Sequence, residues 1–103
     1  MLSHNVFFSL NDPSPTAIDQ LVAACKTYLT DHAGTVFFAA GSLAQEFQRP
    51  VNDQAFDVAL HVVFTDQAAH DVYQEAPRHR KFVEENKANW KQVRVFDSWV
   101  ESK

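Results

Sequence analysis

The first ten residues alternate. Leu2, His4, Val6, Phe8 and Leu10 fall on one side of the chain, and Ser3, Asn5, Phe7 and Ser9 on the other. That period of two predicts a strand with one strongly apolar face. Asn11-Asp12-Pro13 breaks it. Ser14 followed by Pro15 has the chemistry of a helix N-cap with proline at the first helical position. Ile18, Leu21, Val22, Cys25, Tyr28 and Leu29 then recur at three- and four-residue spacing. This predicts an amphipathic helix ending near Ala33-Gly34. The short apolar run Thr35 to Ala40 predicts a second strand. Gly41 to Ala55 is polar, carries Pro50, and predicts a long loop.

Phe56 to Phe64 is apolar on nearly both faces and predicts the third strand. Asp66 is placed to cap a short helix in which Ala69, Val72 and Tyr73 share a face. Pro77 restarts a helix that puts His79, Phe82, Val83, Asn86 and Trp90 roughly on one side. Val93 to Val100 predicts a fourth strand, with Val93, Val95 and Trp99 on one face and Phe96 and Val100 on the other.

Strand, helix, strand, strand, short helices, strand is the order of an α+β, ferredoxin-like arrangement. It predicts a four-stranded antiparallel sheet with its helices on one face. No repeat or linker divides residues 1–103, so one domain is expected. The opposite sheet face would carry Phe7, Phe37, Ala59, His61, Val63, Phe96 and Val100. Bare antiparallel faces normally carry polar residues, and no element of the pattern remains to cover this one. The expected cover is a second copy of the chain, a homodimer with its sheets face to face.

Composition narrows the partners. Nine Lys and Arg against thirteen Asp and Glu give a net charge of −4 with no basic cluster, which argues against nucleic acid. No apolar run approaches the roughly eighteen residues of a membrane span. Met1 to Asn5 leads straight into a strand without a basic or long apolar leader, and a single cysteine makes no internal disulfide. A cytoplasmic protein without a membrane partner is the expectation.

Several spaced motifs resemble one family across essentially the whole chain. They are the strand-one His4 in His4-Asn5-Val6-Phe7-Phe8, the aromatic-Asp entry Phe56-Asp57-Val58-Ala59-Leu60, and Tyr73-Gln74-Glu75-Ala76-Pro77-Arg78-His79. Phe82, Trp90 and Val93-Arg94-Val95-Phe96-Asp97 follow. The chain resembles the stress-responsive α/β barrel domains (Dabb), and its C-terminal part is similar to plant polyketide cyclases among them. The family commonly shows His-Pro-x-His where this chain has Ala76-Pro77-Arg78-His79, so the first of those histidines is missing. The resemblance implies a ferredoxin-like monomer that pairs into a dimeric α+β barrel. It also implies a Tyr–His pair with a strand-one histidine as the site, here Tyr73, His79 and His4.

An imidazole near its ordinary pKa can serve as a base close to neutral pH, and a phenol can donate a hydrogen bond to an enolate oxygen. In an enzyme, His79 would be the base, Tyr73 the donor or orienter and His4 a positioning contact. Val6, Phe8, Phe82 and Trp90 would line an apolar pocket between sheet and helices. The expected function is binding of a small apolar or aromatic ligand. A cyclase-like lyase or a cofactor-free monooxygenase is the alternative, and a purely structural dimer the third. A cavity between the first helix and the sheet that reaches His4 and His79 separates the first two from the last. In the structural alternative, Tyr73 and His79 are simply core and helix-start residues.

The remaining groups call for less. His61 reads as an interface histidine bonded to a neighbour, His70 as solvent-facing, and His32 as a cation suited to the end of the first helix. Cys25 reads as a buried apolar residue. No His-x-x-x-His, cysteine pair or glycine-rich loop is present, so neither a metal nor a cofactor is expected.

Overall fold

A computed structural model describes all 103 residues. Its elements are β1 (Leu2–Leu10), α1 (Pro15–Tyr28), β2 (Thr35–Ser42), β3 (Val58–Phe64), α2 (Gln67–Glu75), α3 (Pro77–Asn86) and β4 (Trp90–Trp99), with a 3₁₀ turn at Lys87–Asn89. The strands lie in the order β2-β3-β1-β4 and every pairing is antiparallel. This is the ferredoxin-like α+β fold. No helix is long and apolar enough to cross a membrane.

The alternation in β1 decides the layers. Its even-numbered residues are all buried, and Val6, Phe8 and Leu10 join Val58, Leu60, Val62 and Phe64 of β3 in the core. Leu21 and Cys25 of α1, Leu29 just beyond it, Tyr73 of α2 and Phe82 of α3 close that core from one side. Helices as short as α2 and α3 are marginal alone. Their buried Tyr73 and Phe82 hold them, each large side chain contributing about 1.5–3 kcal/mol on burial. Ser14 Oγ accepts from the Ala17 N–H with Pro15 at the first helical position, and Asp66 Oδ1 accepts from the Ala69 N–H. Ala76 is extended (ψ 141°) ahead of Pro77, and there α2 stops and α3 starts.

The structure departs from the pattern in four places. Helix α1 ends at Tyr28, short of Gly34, because side chains take its last carbonyls. Arg78 donates to Thr27 O and Thr30 O, and His32 Nε2 to Tyr28 O at 2.8 Å. The chain then turns through Asp31 and Gly34, both at positive φ. A Cβ on Gly34 would stand 2.4 Å from the Ala69 Cβ, so glycine lets this turn lie against α2. Second, Val72 is exposed while Tyr73 beside it is buried, since one residue turns a helix about 100°. Third, Trp90 belongs to β4, not to the helix of His79. It still packs on Phe8 and Phe82, at 5.0 and 5.8 Å between centroids.

The fourth departure concerns the loop after β2. It does not stay clear of the open sheet face. Ser9 Oγ donates to Ala55 O, Arg94 Nη1 pairs with Asp53 Oδ2 at 2.8 Å, and Phe56 lies edge-on to Phe7 at 4.9 Å. Asp57 ties the loop's end to β1 by accepting from the Leu10 N–H. Part of the face thus has a cover within the chain. Phe37 and Phe96 remain 55% and 52% exposed.

Candidate functional site

His4 reaches the site because β1 alternates inward, and its register places it opposite Asp97 of β4. The ring is 5% exposed, and its Nδ1 faces an Asp97 oxygen. A carboxylate only accepts, so the proton of that bond sits on Nδ1. Tyr73 comes from the last turn of α2 and lies fully buried among rings. Phe64 is 5.0 Å away between centroids, His32 5.0 Å, His4 6.1 Å and His79 4.8 Å. His79 enters from the first turn of α3 and is half-buried.

These three side chains share one cavity of about 160 Å³ with Val6, Phe8, Phe82 and Trp90. All seven residues singled out from the sequence therefore meet at one place. The cavity is not under α1, where the pattern put it. It lies between β1, β4, α2 and α3, and it opens past Val93 and Val95, which are partly exposed on the edge strand. In volume it matches the roughly 150 Å³ that suffices to hold one benzene ring. Trp90 in its wall carries a buried indole N–H without a partner.

Three further polar residues belong here. Asp97 holds His4, and Gln74 lines the cavity beside it. His70, expected in solvent, is only 19% exposed in its side chain, and its ring lies 5.0 Å from that of His4. The period of two that turns Val93 and Val95 inward also brings Asp97 to their side. The helical period that buries Tyr73 likewise brings His70, three residues earlier, to the same flank. Both signals were present in the sequence.

Electrostatics separates the histidines. His4 is bonded to Asp97, His32 to Tyr28 O, His61 to Asn5 Oδ1 and His70 to Asp71. No such bond fixes His79. Burial lowers the His79 pKa, and the neighbouring imidazoles of His4, His32 and His70 lower it further. Burial raises that of the Tyr73 phenol, so it stays a protonated donor. Cys25 is pushed up to about 12 by burial and remains a neutral thiol. A neutral, unanchored imidazole beside a protonated phenol can accept a proton from a bound molecule while the phenol donates to its oxygen.

Among curated protein sequences none matches the chain significantly. Solved structures do match. A Dabb family protein with a ferredoxin-like fold from Mesorhizobium loti is 21% identical, with 98% of this chain and 97% of that one covered and a TM-score of 0.78. A dimeric ferredoxin-like protein of unknown function from Thermobifida fusca is 16% identical, over 96% and 90% of the two chains, at a TM-score of 0.80. A hydroxynitrile lyase from Passiflora edulis is 18% identical, over 99% and 94%, at a TM-score of 0.76. At these identities the likeness is one of fold. The family model for the stress responsive A/B barrel domain matches residues 2–100, the whole sheet and all three helices, and the chain belongs to that family.

Proposed function

We propose that this protein is a homodimer whose cavity binds a small apolar or aromatic molecule bearing one oxygen, held by Tyr73 and His79. The observation that carries the reading is the convergence of seven side chains from β1, α2, α3 and β4 on one opening, with His79 the one histidine not tied to a protein partner. The apolar wall favours a ring, and the polar end favours a hydroxyl or carbonyl. The exposed Phe37 and Phe96 favour a second copy of the chain on the open face, and the Thermobifida fusca relative is described as dimeric.

Phenol is the probe that tests the pocket, since one ring fills it and one hydroxyl meets the pair. Titration followed by NMR should shift the ring resonances of Tyr73, His79 and Trp90 first. The variant Val93→Trp, which fills the opening from the edge strand, should abolish those shifts. Saturating phenol without movement of these resonances would refute the pocket reading.

A second reading is favoured by the unanchored state of His79 and its lowered pKa. His79 serves as general base toward a carbon acid, Tyr73 donates to the enolate oxygen that forms, and His4 positions the substrate. The Passiflora edulis structure, a hydroxynitrile lyase, is a case of lyase activity on this fold. Fold alone does not assign it.

A further inference from the structure

Beside the Tyr73–His79 pair, the imidazoles of His4 and His70 are arranged in a way that ligand binding by that pair does not explain. His4 Nδ1 faces the Asp97 carboxylate, and His70 Nδ1 lies 3.1 Å from Asp71 Oδ1. Because a carboxylate only accepts, each ring carries its bonded proton on Nδ1 and directs Nε2 the other way. Both Nε2 atoms approach the Gln74 amide. Gln74 Nε2 stands 3.4 Å from His4 Nε2 and 3.4 Å from His70 Nε2. The two rings are 5.0 Å apart between centroids, and His4, His70 and Asp97 each have a donor atom within 4.8 Å of the others.

We propose that His4 and His70 bind a divalent transition-metal ion through their Nε2 atoms, with Zn²⁺ the ion that fits the donors best. Imidazole nitrogen suits zinc, whereas Mg²⁺ and Ca²⁺ require oxygen ligands. Metal-bound histidines almost always donate their other ring N–H to a carboxylate, which fixes the tautomer and raises basicity. Both histidines already have that partner, Asp97 for one and Asp71 for the other. The Gln74 amide is a weak partner of the two nitrogens, since 3.4 Å is beyond the usual 2.7–3.2 Å of a good hydrogen bond. Turning the Gln74 amide presents Oε1 in place of Nε2 and supplies a third ligand. Solvent completes the four-coordinate shell, as in zinc sites that keep an open position. Sequence spacing hides the pair, because the ligands lie 66 positions apart and meet only when α2 folds over the start of β1.

His4 also lines the cavity, but His79 and Tyr73 supply no ligand, so failure of the metal site and failure of the chemistry proposed for that pair are distinguishable. The test is a titration of the intact protein with Co²⁺, read by visible absorption, followed by displacement with Zn²⁺. One Co²⁺ per chain with a displaceable absorption band is expected. His70→Asn, at a partly exposed position, should weaken binding by at least about 10-fold, and Asp97→Asn by about 10–100-fold as an orienting partner is lost. His79→Gln should leave it unchanged. Circular dichroism of each variant reports retention of the fold. Absence of the band in the wild type, or equal affinity in His70→Asn, would overturn the proposal. So would a loss in His79→Gln as large as that in His70→Asn.

Discussion

The Tyr73 ring stands edge-on to the His79 imidazole with 4.8 Å between centroids, one supplied by α2 and the other by α3. A half-buried imidazole is expensive to charge, because burial strips water from its cationic form. The chain places three more imidazoles, those of His4, His32 and His70, close enough to add to that cost.

This sets a pH dependence. The unfolded chain takes up a proton at His79 near its ordinary value of about 6.5, whereas the folded chain does so only at lower pH. The unfolded state therefore binds more protons between those two values, and stability is lost as pH falls through that window. It is fully retained above about 6.5. The midpoint of thermal unfolding should drop over that interval, and His79→Gln should drop less. Parallel curves for the two proteins would place the acid sensitivity on other groups.

The neutral, unanchored imidazole of His79 beside the Tyr73 phenol predicts proton transfer from carbon. Acetylacetone in D₂O should exchange its central C–H faster with the protein than with buffer, one proton leaving to His79 and one deuteron returning. His79→Ala should lower the protein-dependent rate by ~10²–10⁴, the usual scale for a general base, and Tyr73→Phe should lower it with the fold intact. An unchanged rate in His79→Ala would leave the cavity as a binding site alone.

The open sheet face predicts an assembly. Phe96 is half exposed and lies 5.7 Å from Phe7 between ring centroids. In an isolated chain Phe96→Asp puts a charge in water at little cost, whereas in a face-to-face dimer it buries that charge unpaired. Sedimentation should show a dimer for the wild type and a folded monomer for the variant. A wild-type monomer at micromolar concentration, or a dimeric variant, would rule this interface out.

Much of this was readable in the residues, and particular ones show why. The alternation of β1 specified which side of the sheet carried His4, because a one-residue slip would bury Ser3, Asn5 and Ser9 instead. The caps Ser14 and Asp66 marked two helix starts. Val72 and Trp90 were misplaced because over so few residues a helical period is loose, and whether Lys87–Asn89 prolongs α3 or ends it depends on packing. The loop's grip on the open face rests on Asp53 and Arg94, 41 positions apart, a pairing no local pattern encodes. Asp97 and His70 were legible only once strand register and helix phase were combined, since each becomes meaningful through His4.

The break at Ala76 has a geometric consequence for the site. In an uninterrupted helix, residues six apart are turned about 240° from each other, so Tyr73 and His79 would look in different directions. Stopping the winding at one extended residue and restarting it at Pro77 resets the angular count, and the two side chains arrive on the same side. Phenol and imidazole are therefore mounted on separate axes that meet at a fixed joint. Each axis is held in phase by its own buried side chain, Tyr73 in α2 and Phe82 in α3.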